Sequence, residues 1–234
     1  MLIVENLMLQ RGGKAVLHGI DLVVRPGQIT ALVGANGAGK SSTVMSIAGE
    51  LRPSSGTIRI DGSNLAGLRP EAVRAAGVAV VPEGHRVLGD LTVLDNLRVA
   101  AAQSSASEAG ESIRRMLDIF PELRPKLGEP GKSLSGGQKQ MVCIVQALLA
   151  DPRYLLIDEL SLGLAPMVVK RLAEVIQDVA RQGVGVLLIE QFTTLALSMS
   201  TYANVMVRGR MAWTGLADEL AGQPDLLHSS YLAA

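Results

Sequence analysis

The sequence predicts an α/β fold: a mostly parallel sheet covered by helices, an antiparallel strand layer near the N-terminus, and a helical insertion at about residues 84–150. Three observations carry this. Short Val-, Ile- and Leu-rich runs alternate with stretches of helical periodicity on both sides of the insertion, which is the pattern of βα units. These runs are apolar almost throughout, as strands covered on both faces are. A hydrophobic content of 48% over 234 residues supplies a core for one domain of generous size.

Taken in order, residues 2–9, 16–24 and 28–33 read as three strands, separated by Gly-Gly and Pro-Gly turn signals. The third runs directly into a glycine-rich loop. GKSSTVMSIAGEL follows as a helix ending near Gly49, SGTIRIDG as a strand, RPEAVRAAG as a short helix and GVAVVP as another strand. From 84 to 150 the periodicity is helical, interrupted by the small polar stretch AAAQSSASEAGES and the proline-punctuated FPELRPKLGEPGKS. Strands resume at RYLLID, VGVLLIE and ANVMVRG with MAWTG, and the helix APMVVKRLAEVIQDVARQG lies between the first two. The predicted organisation is therefore one domain, with 1–83 and 151–234 as core and 84–150 as a helical subdomain.

Lys plus Arg and Asp plus Glu each number 22, so the chain offers no electrostatic footprint for nucleic acid or an anionic membrane, and any anion it binds must be held locally. The single Cys143 sits among apolar neighbours, reads as a buried reduced thiol and favours the cytosol. No apolar run approaches the roughly 18 residues of a spanning helix, and MLIVENLM has no basic region ahead of an apolar stretch. His18, His85 and His228 have no partner at metal-ligand spacing.

Gly34, Ala35, Asn36, Gly37, Ala38, Gly39, Lys40, Ser41 and Ser42 spell GANGAGKSS, which matches G-x-x-x-x-G-K-[ST] between a predicted strand and a predicted helix. Glycines let the backbone curl until successive N–H groups point inward, and the helix N-terminus adds partial positive charge, so the loop cradles phosphates. Lys40 is expected at the β- and γ-phosphates and the Ser41 hydroxyl on Mg²⁺. YLLIDELSLG then takes an apolar strand straight into two carboxylates, Asp158 and Glu159. Unpaired charges at the edge of a core are costly. In phosphate-loop hydrolases an aspartate at the end of a neighbouring strand holds the magnesium, and a nearby polar group orients or deprotonates the attacking water. Asp158 and Glu159 fit these roles, with Mg²⁺ and Lys40 compensating their charge. The bland alternative is a helix N-cap with an acidic first turn.

A second glycine loop, LSGGQ, opens the apolar helix QKQMVCIVQALLA, so Ser135, Gly136, Gly137 and Gln138 form another anion-accepting helix start. With a phosphate loop before it and a strand ending in Asp-Glu after it, this chain resembles the ATP-binding subunits of ABC transporters over nearly its whole length. The resemblance implies a P-loop (RecA-like) ATPase core that binds ATP and Mg²⁺. It further implies head-to-tail pairing with a second ABC ATPase protomer, of the same or a related chain, in which LSGGQ closes over the partner's nucleotide. The stretches GANGAGKSS, VPEGHRVLGDLTVLDNL, DELSLGLAP and IEQF are most similar to the LivF-type ATPases of branched-chain amino acid importers.

That resemblance implies membrane permease subunits, indirectly a solute-binding protein, no nucleic acid, and residence at the cytoplasmic face of the cell membrane. It also gives Glu83 a place at the metal and γ-phosphate where most of the family has glutamine, and Gln191 a catalytic place where most has histidine. Arg11 stands where an aromatic ring often stacks on adenine; a guanidinium plane stacks on a base, and a solvated arginine is the alternative. Leu160 replaces the family's usual proline, and Met141 and Gln146 replace common arginines. Phe120 with GDLTVLDNLRVA reads either as the groove for a coupling helix or as plain core. The alternative functions are a nucleotide-gated clamp without transport, or the motor of a different solute or lipid exporter.

Overall fold

The computed structural model describes residues 1–191 and 193–223; Phe192, His228 and most of the C-terminal stretch lie outside these. The N-terminal layer is an antiparallel sheet of β1 (Leu2–Arg11), β2 (Lys14–Val24), β4 (Ser55–Ile60) and β5 (Ser63–Asn64), in the order β2-β1-β4-β5. A second sheet runs β10-β9-β3-β8-β7-β6, formed by β3 (Ile29–Val33), β6 (Val78–Val81), β7 (Tyr154–Asp158), β8 (Gly185–Glu190), β9 (Tyr202–Val207) and β10 (Arg210–Leu216). All its neighbours are parallel except the β9–β10 hairpin at one edge.

Both faces of the second sheet are covered, which is why its central strands carry no polar alternation. Side chains of a strand point alternately to opposite faces. Thus Leu155 and Ile157 of β7 join one core with Val186 and Leu188 of β8, beneath α5 (Gly136–Leu148) and α6 (Pro166–Arg181). Tyr154 and Leu156, with Leu187 and Ile189, join the other core, against α1 (Lys40–Ile47) and the antiparallel layer. By the same parity Asp158 faces the α1 side and Glu190 faces the α6 side.

The remaining described helices are α2 (Pro70–Ala75), α3 (Val93–Ala100), α4 (Ala106–Ile119), α7 (Thr193–Met199) and α8 (Ala217–Ala221). Residues 84–150 hold α3, α4, two short 3₁₀ turns and α5, but they have no separate core. Leu97, Ile113, Leu117, Phe120 and Ile144 belong to the same buried cluster as the underside of the parallel sheet. Phe120 is fully buried there, with the Arg171 guanidinium 5.8 Å from its ring centre, so this residue is core and lines no groove. Cys143 is buried and its thiol pushed up to about 11 by desolvation, which makes it inert. Gln146, at a position expected to matter only through a missing charge, donates to the Asn96 carbonyl at 3.3 Å and ties α5 to α3.

Register brings the carboxyl ends of the central strands level: Val33 pairs with Glu190, and Asp158 with Ile189. In open parallel sheets ligands bind outside this end. β8 lies between β3 and β7, so the strand ending in Asp158 is next but one to the strand feeding the phosphate loop, not adjacent to it as the sequence reading had it.

Candidate functional site

The phosphate loop is shaped by positions that exclude side chains. Gly34 has φ +154, and a Cβ there would collide with the Met206 carbonyl. Gly39, the N-cap of α1, has φ +111, and its Cβ would stand 2.9 Å from Leu17 Cδ2. Gly209 N–H donates to the Ala38 carbonyl at 2.7 Å, fastening the loop to the β9–β10 turn. Lys40 opens α1, is 6% exposed, and its Nζ donates to the carbonyls of Gly34 at 2.7 Å and Ala35 at 3.1 Å. Burial lowers its pKa, opposed by Glu159, Asp158, Glu190 and Glu83.

Asp158 closes β7 and is 5% exposed. The nearby Ser41 hydroxyl favours the ionised carboxylate, while Oδ1 is buried with no hydrogen-bond partner. Burial raises the pKa of Asp158, the Ser41 bond lowers it, and Glu83 raises it further. Glu159 follows at φ +60, with its N–H donating to the Ile189 carbonyl at 3.0 Å. Its pKa is raised by burial, then by Glu83 and Asp158. The charge compensation expected from Lys40 does not take the form of an ion pair: the ammonium is engaged with loop carbonyls, and among the described residues no salt bridge joins it to either acid. Four carboxylates therefore act on one lysine, and an orphaned buried oxygen marks where a cation fits. The helix-cap alternative is excluded because α6 begins at Pro166 with Ala165 as its N-cap.

Arg11, Asn36, Gly37, Gly39, Lys40, Ser41, Ser42, Glu83, Glu159 and Gln191 line one cavity of about 480 Å³, joined by Val16 and Leu162. Gly34, Ala35 and Ala38 belong to the same loop, and Asp158 acts on Lys40 from nearby. Arg11 ends β1 beside the Gly12–Gly13 turn and is exposed at the rim. Among the described residues no cluster of three or more His, Cys, Asp or Glu side chains forms a metal cage.

The signature loop is not part of this cavity. Ser135 Oγ accepts from the Gln138 N–H at 3.3 Å and Gln138 Oε1 accepts from the Ser135 N–H at 3.0 Å, a closed capping box on α5. First-turn amides such as those of Gly136 and Gly137 have no carbonyl within the helix to bond. Gly137 is required by packing, since a Cβ would come within 2.8 Å of Val168 Cγ1 on α6. Gly136 is exposed.

Two polar residues escaped sequence reasoning. Asn96, fully buried in α3, accepts from the Leu88 N–H at 2.8 Å and donates to the Leu88 and Thr92 carbonyls at 3.0 Å, bracing the loop after Glu83. Glu190, 1% exposed, accepts from Ser161. The signal for Glu190 was the ending of VGVLLIE in Glu-Gln, parallel to the ending of YLLID-E.

A phosphate-loop strand–helix junction, with Ser41 near a buried strand-end aspartate and two further carboxylates on the cavity wall, defines a nucleotide-binding ATPase. The ABC transporter family model matches residues 17–161, more than half of the chain, and the protein belongs to that family as an ATP-binding ATPase subunit. It is 37% identical to the high-affinity branched-chain amino acid transport ATP-binding protein BraG of Pseudomonas aeruginosa, over 90% of this chain and 91% of the relative. It is 35% identical to a probable branched-chain amino acid transport ATP-binding protein, LivF, of Archaeoglobus fulgidus, over 88% and 87%. The lipopolysaccharide export ATP-binding protein LptB of Haemophilus influenzae is 28% identical over 94% and 92%. A solved ATP-binding subunit of an ABC transporter superposes with a TM-score of 0.85 at 33% identity, covering 98% of this chain and 95% of that one. Among the described residues no helix is long and apolar enough to cross a membrane.

Proposed function

We propose that Mg-ATP hydrolysis by this subunit powers a membrane permease importing branched-chain or related amino acids. The observation that carries the hydrolytic assignment is Asp158, a strand-end carboxylate buried near the Ser41 hydroxyl with its Oδ1 left without a partner. Ser41 and Asp158, with Glu83 at the cavity wall, are the residues that would hold Mg²⁺, which supplies neutralisation of charge developing on the transferred phosphoryl group. The inward amides of the loop and Lys40 hold the phosphates. Glu159 is the general base: burial and two neighbouring acids raise its proton affinity, as a base working near neutral pH requires. Gln191 donates its amide to a γ-phosphate oxygen without changing charge. Arg11 at the rim stacks on the base.

Ser135, Gly136, Gly137 and Gln138 act in trans, on the nucleotide of a second ABC protomer, in a pair stable only while ATP is held. A cavity of about 400 Å³ lined by Ala48, Val73, Arg74, Val80, Arg86 and Val99, between the parallel sheet and the helical segment 84–150, receives a helix of the permease. These partners put the subunit at the cytoplasmic face of the membrane, and a solute-binding protein completes the importer. The similarity to BraG and LivF supports the amino acid cargo, although cargo is chosen by subunits other than this one.

The test is co-purification with the permease and reconstitution in liposomes with candidate solutes. Stimulation of ATP turnover by leucine, isoleucine or valine is expected. Stimulation by a lipid alone overturns the cargo, and turnover indifferent to any permease makes the protein a nucleotide-gated clamp.

A further inference from the structure

Glu190 is a buried carboxylate that belongs neither to the nucleotide cavity nor, among the described residues, to any ion pair. Both of its oxygens serve one neighbour. The Ser161 N–H donates to Oε1 at 3.0 Å, and the Ser161 hydroxyl donates to Oε2 at 3.0 Å. Ser161 lies two residues beyond Glu159, where the chain has left β7. On the other side of Glu159, the Glu159 N–H donates to Ile189, the residue before Glu190. The exits of β7 and β8 are thus stitched together on both sides of the candidate base, and Gln191 follows the stitch directly.

Glu159 needs such support. Its φ of +60 is a conformation that a side-chain-bearing residue keeps only when its surroundings impose it. A neutral side chain would fill the Glu190 position with less desolvation, yet a carboxylate gives charge-assisted bonds, which hold geometry more firmly than neutral ones. The Leu160 N–H adds a favourable contact to the same carboxylate. A proline at 160 would have no N–H to offer.

We propose that Glu190 is a positioning residue: by clamping Ser161 it fixes the β7 exit against the β8 exit, and so holds Glu159 and Gln191 in register around the γ-phosphate position. The inference rests on the assignment of Glu159 and extends it to the group that aims it. Misplacement of a reacting group by about 1 Å costs on the order of 100-fold in rate, whereas the phosphate loop, which holds the nucleotide, is built by other residues. The signature of the clamp is therefore a loss of kcat without a loss of nucleotide affinity.

The experiment measures Mg-ATP turnover, KM and binding of a fluorescent ATP analogue for the full chain carrying Glu190→Ala, Glu190→Gln, Ser161→Ala, or Glu190→Ala with Ser161→Ala. Expected are a roughly 10–100-fold fall in kcat for Glu190→Ala at unchanged KM and analogue affinity, partial rescue in Glu190→Gln, which keeps an acceptor for the Ser161 N–H, and a double variant no slower than Glu190→Ala. A folded Glu190→Ala protein with kcat within about twofold of the parent, a parallel loss of affinity, or additive losses in the double variant overturns the proposal. Should Glu190→Ala fail to fold, Ser161→Ala decides alone: a fall in kcat at constant affinity supports the clamp and full turnover rejects it. Glu159→Gln in the same assay separates the two assignments. Full turnover there removes the base, whereas turnover lost in Glu159→Gln but kept in Glu190→Ala removes only the clamp.

Discussion

The phosphate loop and the signature loop are both glycine-bearing helix starts, and they differ in what surrounds them. Around the first, the chain brings its own lysine, two serine hydroxyls, two acids and a glutamine to one cavity, with the buried Asp158 close to Ser41. Around the second, among the described residues the side-chain partners of the cap are its own two members, Ser135 and Gln138. One loop is embedded in an acidic site with a cation deficit; the other is satisfied internally and presents its amides outward. The difference teaches that an anion-accepting backbone is common, and that chemistry is decided by which charges the fold delivers beside it.

The sharpest way to break this comparison is to damage the two loops in different chains. Lys40→Ala removes the phosphate grip, and Gly136→Glu places a carboxylate on the signature helix start where space allows it, since a Cβ there meets only Leu164 Cδ2 at 3.4 Å. Each protein alone is expected to have no measurable turnover. An equal mixture is expected to regain it, because a mixed pair keeps one site with an intact loop of each kind; a mixture as inactive as its parts would mean that the two loops serve the same chain. Next in size is Glu159→Gln, with turnover down roughly 10²–10⁴-fold and ATP still bound, read as an ATP-dependent shift to the dimer in size-exclusion chromatography. Gln191→Ala should lower kcat roughly 10-fold with nucleotide affinity retained, and unchanged turnover would discard the proposed hydrogen bond.

The smallest effect concerns stability and has the opposite sign. Burial raises the Asp158 pKa, so the native state binds this proton more tightly than the unfolded chain does. The ionised form is therefore a native-state cost, incurred as pH rises through the raised pKa and absent below the unfolded value of about 3.9. Asp158→Asn should melt a few degrees higher than the parent at neutral pH in a chelator without nucleotide, at about 2–4 °C per kcal/mol for a chain of this size. The gap should close as pH falls towards about 4. With Mg-ATP present the order should reverse, because only the parent gains from the ligand.

Sequence alone disclosed the succession of elements well, because period and turn chemistry are local: the βα alternation, the glycine loop and the acids at a strand end could all be read along the chain. It disclosed less where the reason lies in contacts across the sheet. How the helical segment 84–150 packs was not legible: Phe120 and Ile144 share a buried cluster with the parallel sheet, and their apolarity says that they are buried but not in which core. That Lys40 donates to the loop's own carbonyls is a geometry that no spacing rule contains. Glu190 was passed over because a charged residue after an apolar strand reads as a surface position unless its partner, 29 residues earlier, is known.

The contact between Gly137 and Val168 has a mechanical consequence. With less than a methyl group's clearance between the first turn of α5 and the first turn of α6, there is no slack between the cap and the segment running back through Ser161 to Asp158 and Glu159. A push felt at one end of that path reaches the other as displacement rather than being absorbed as play.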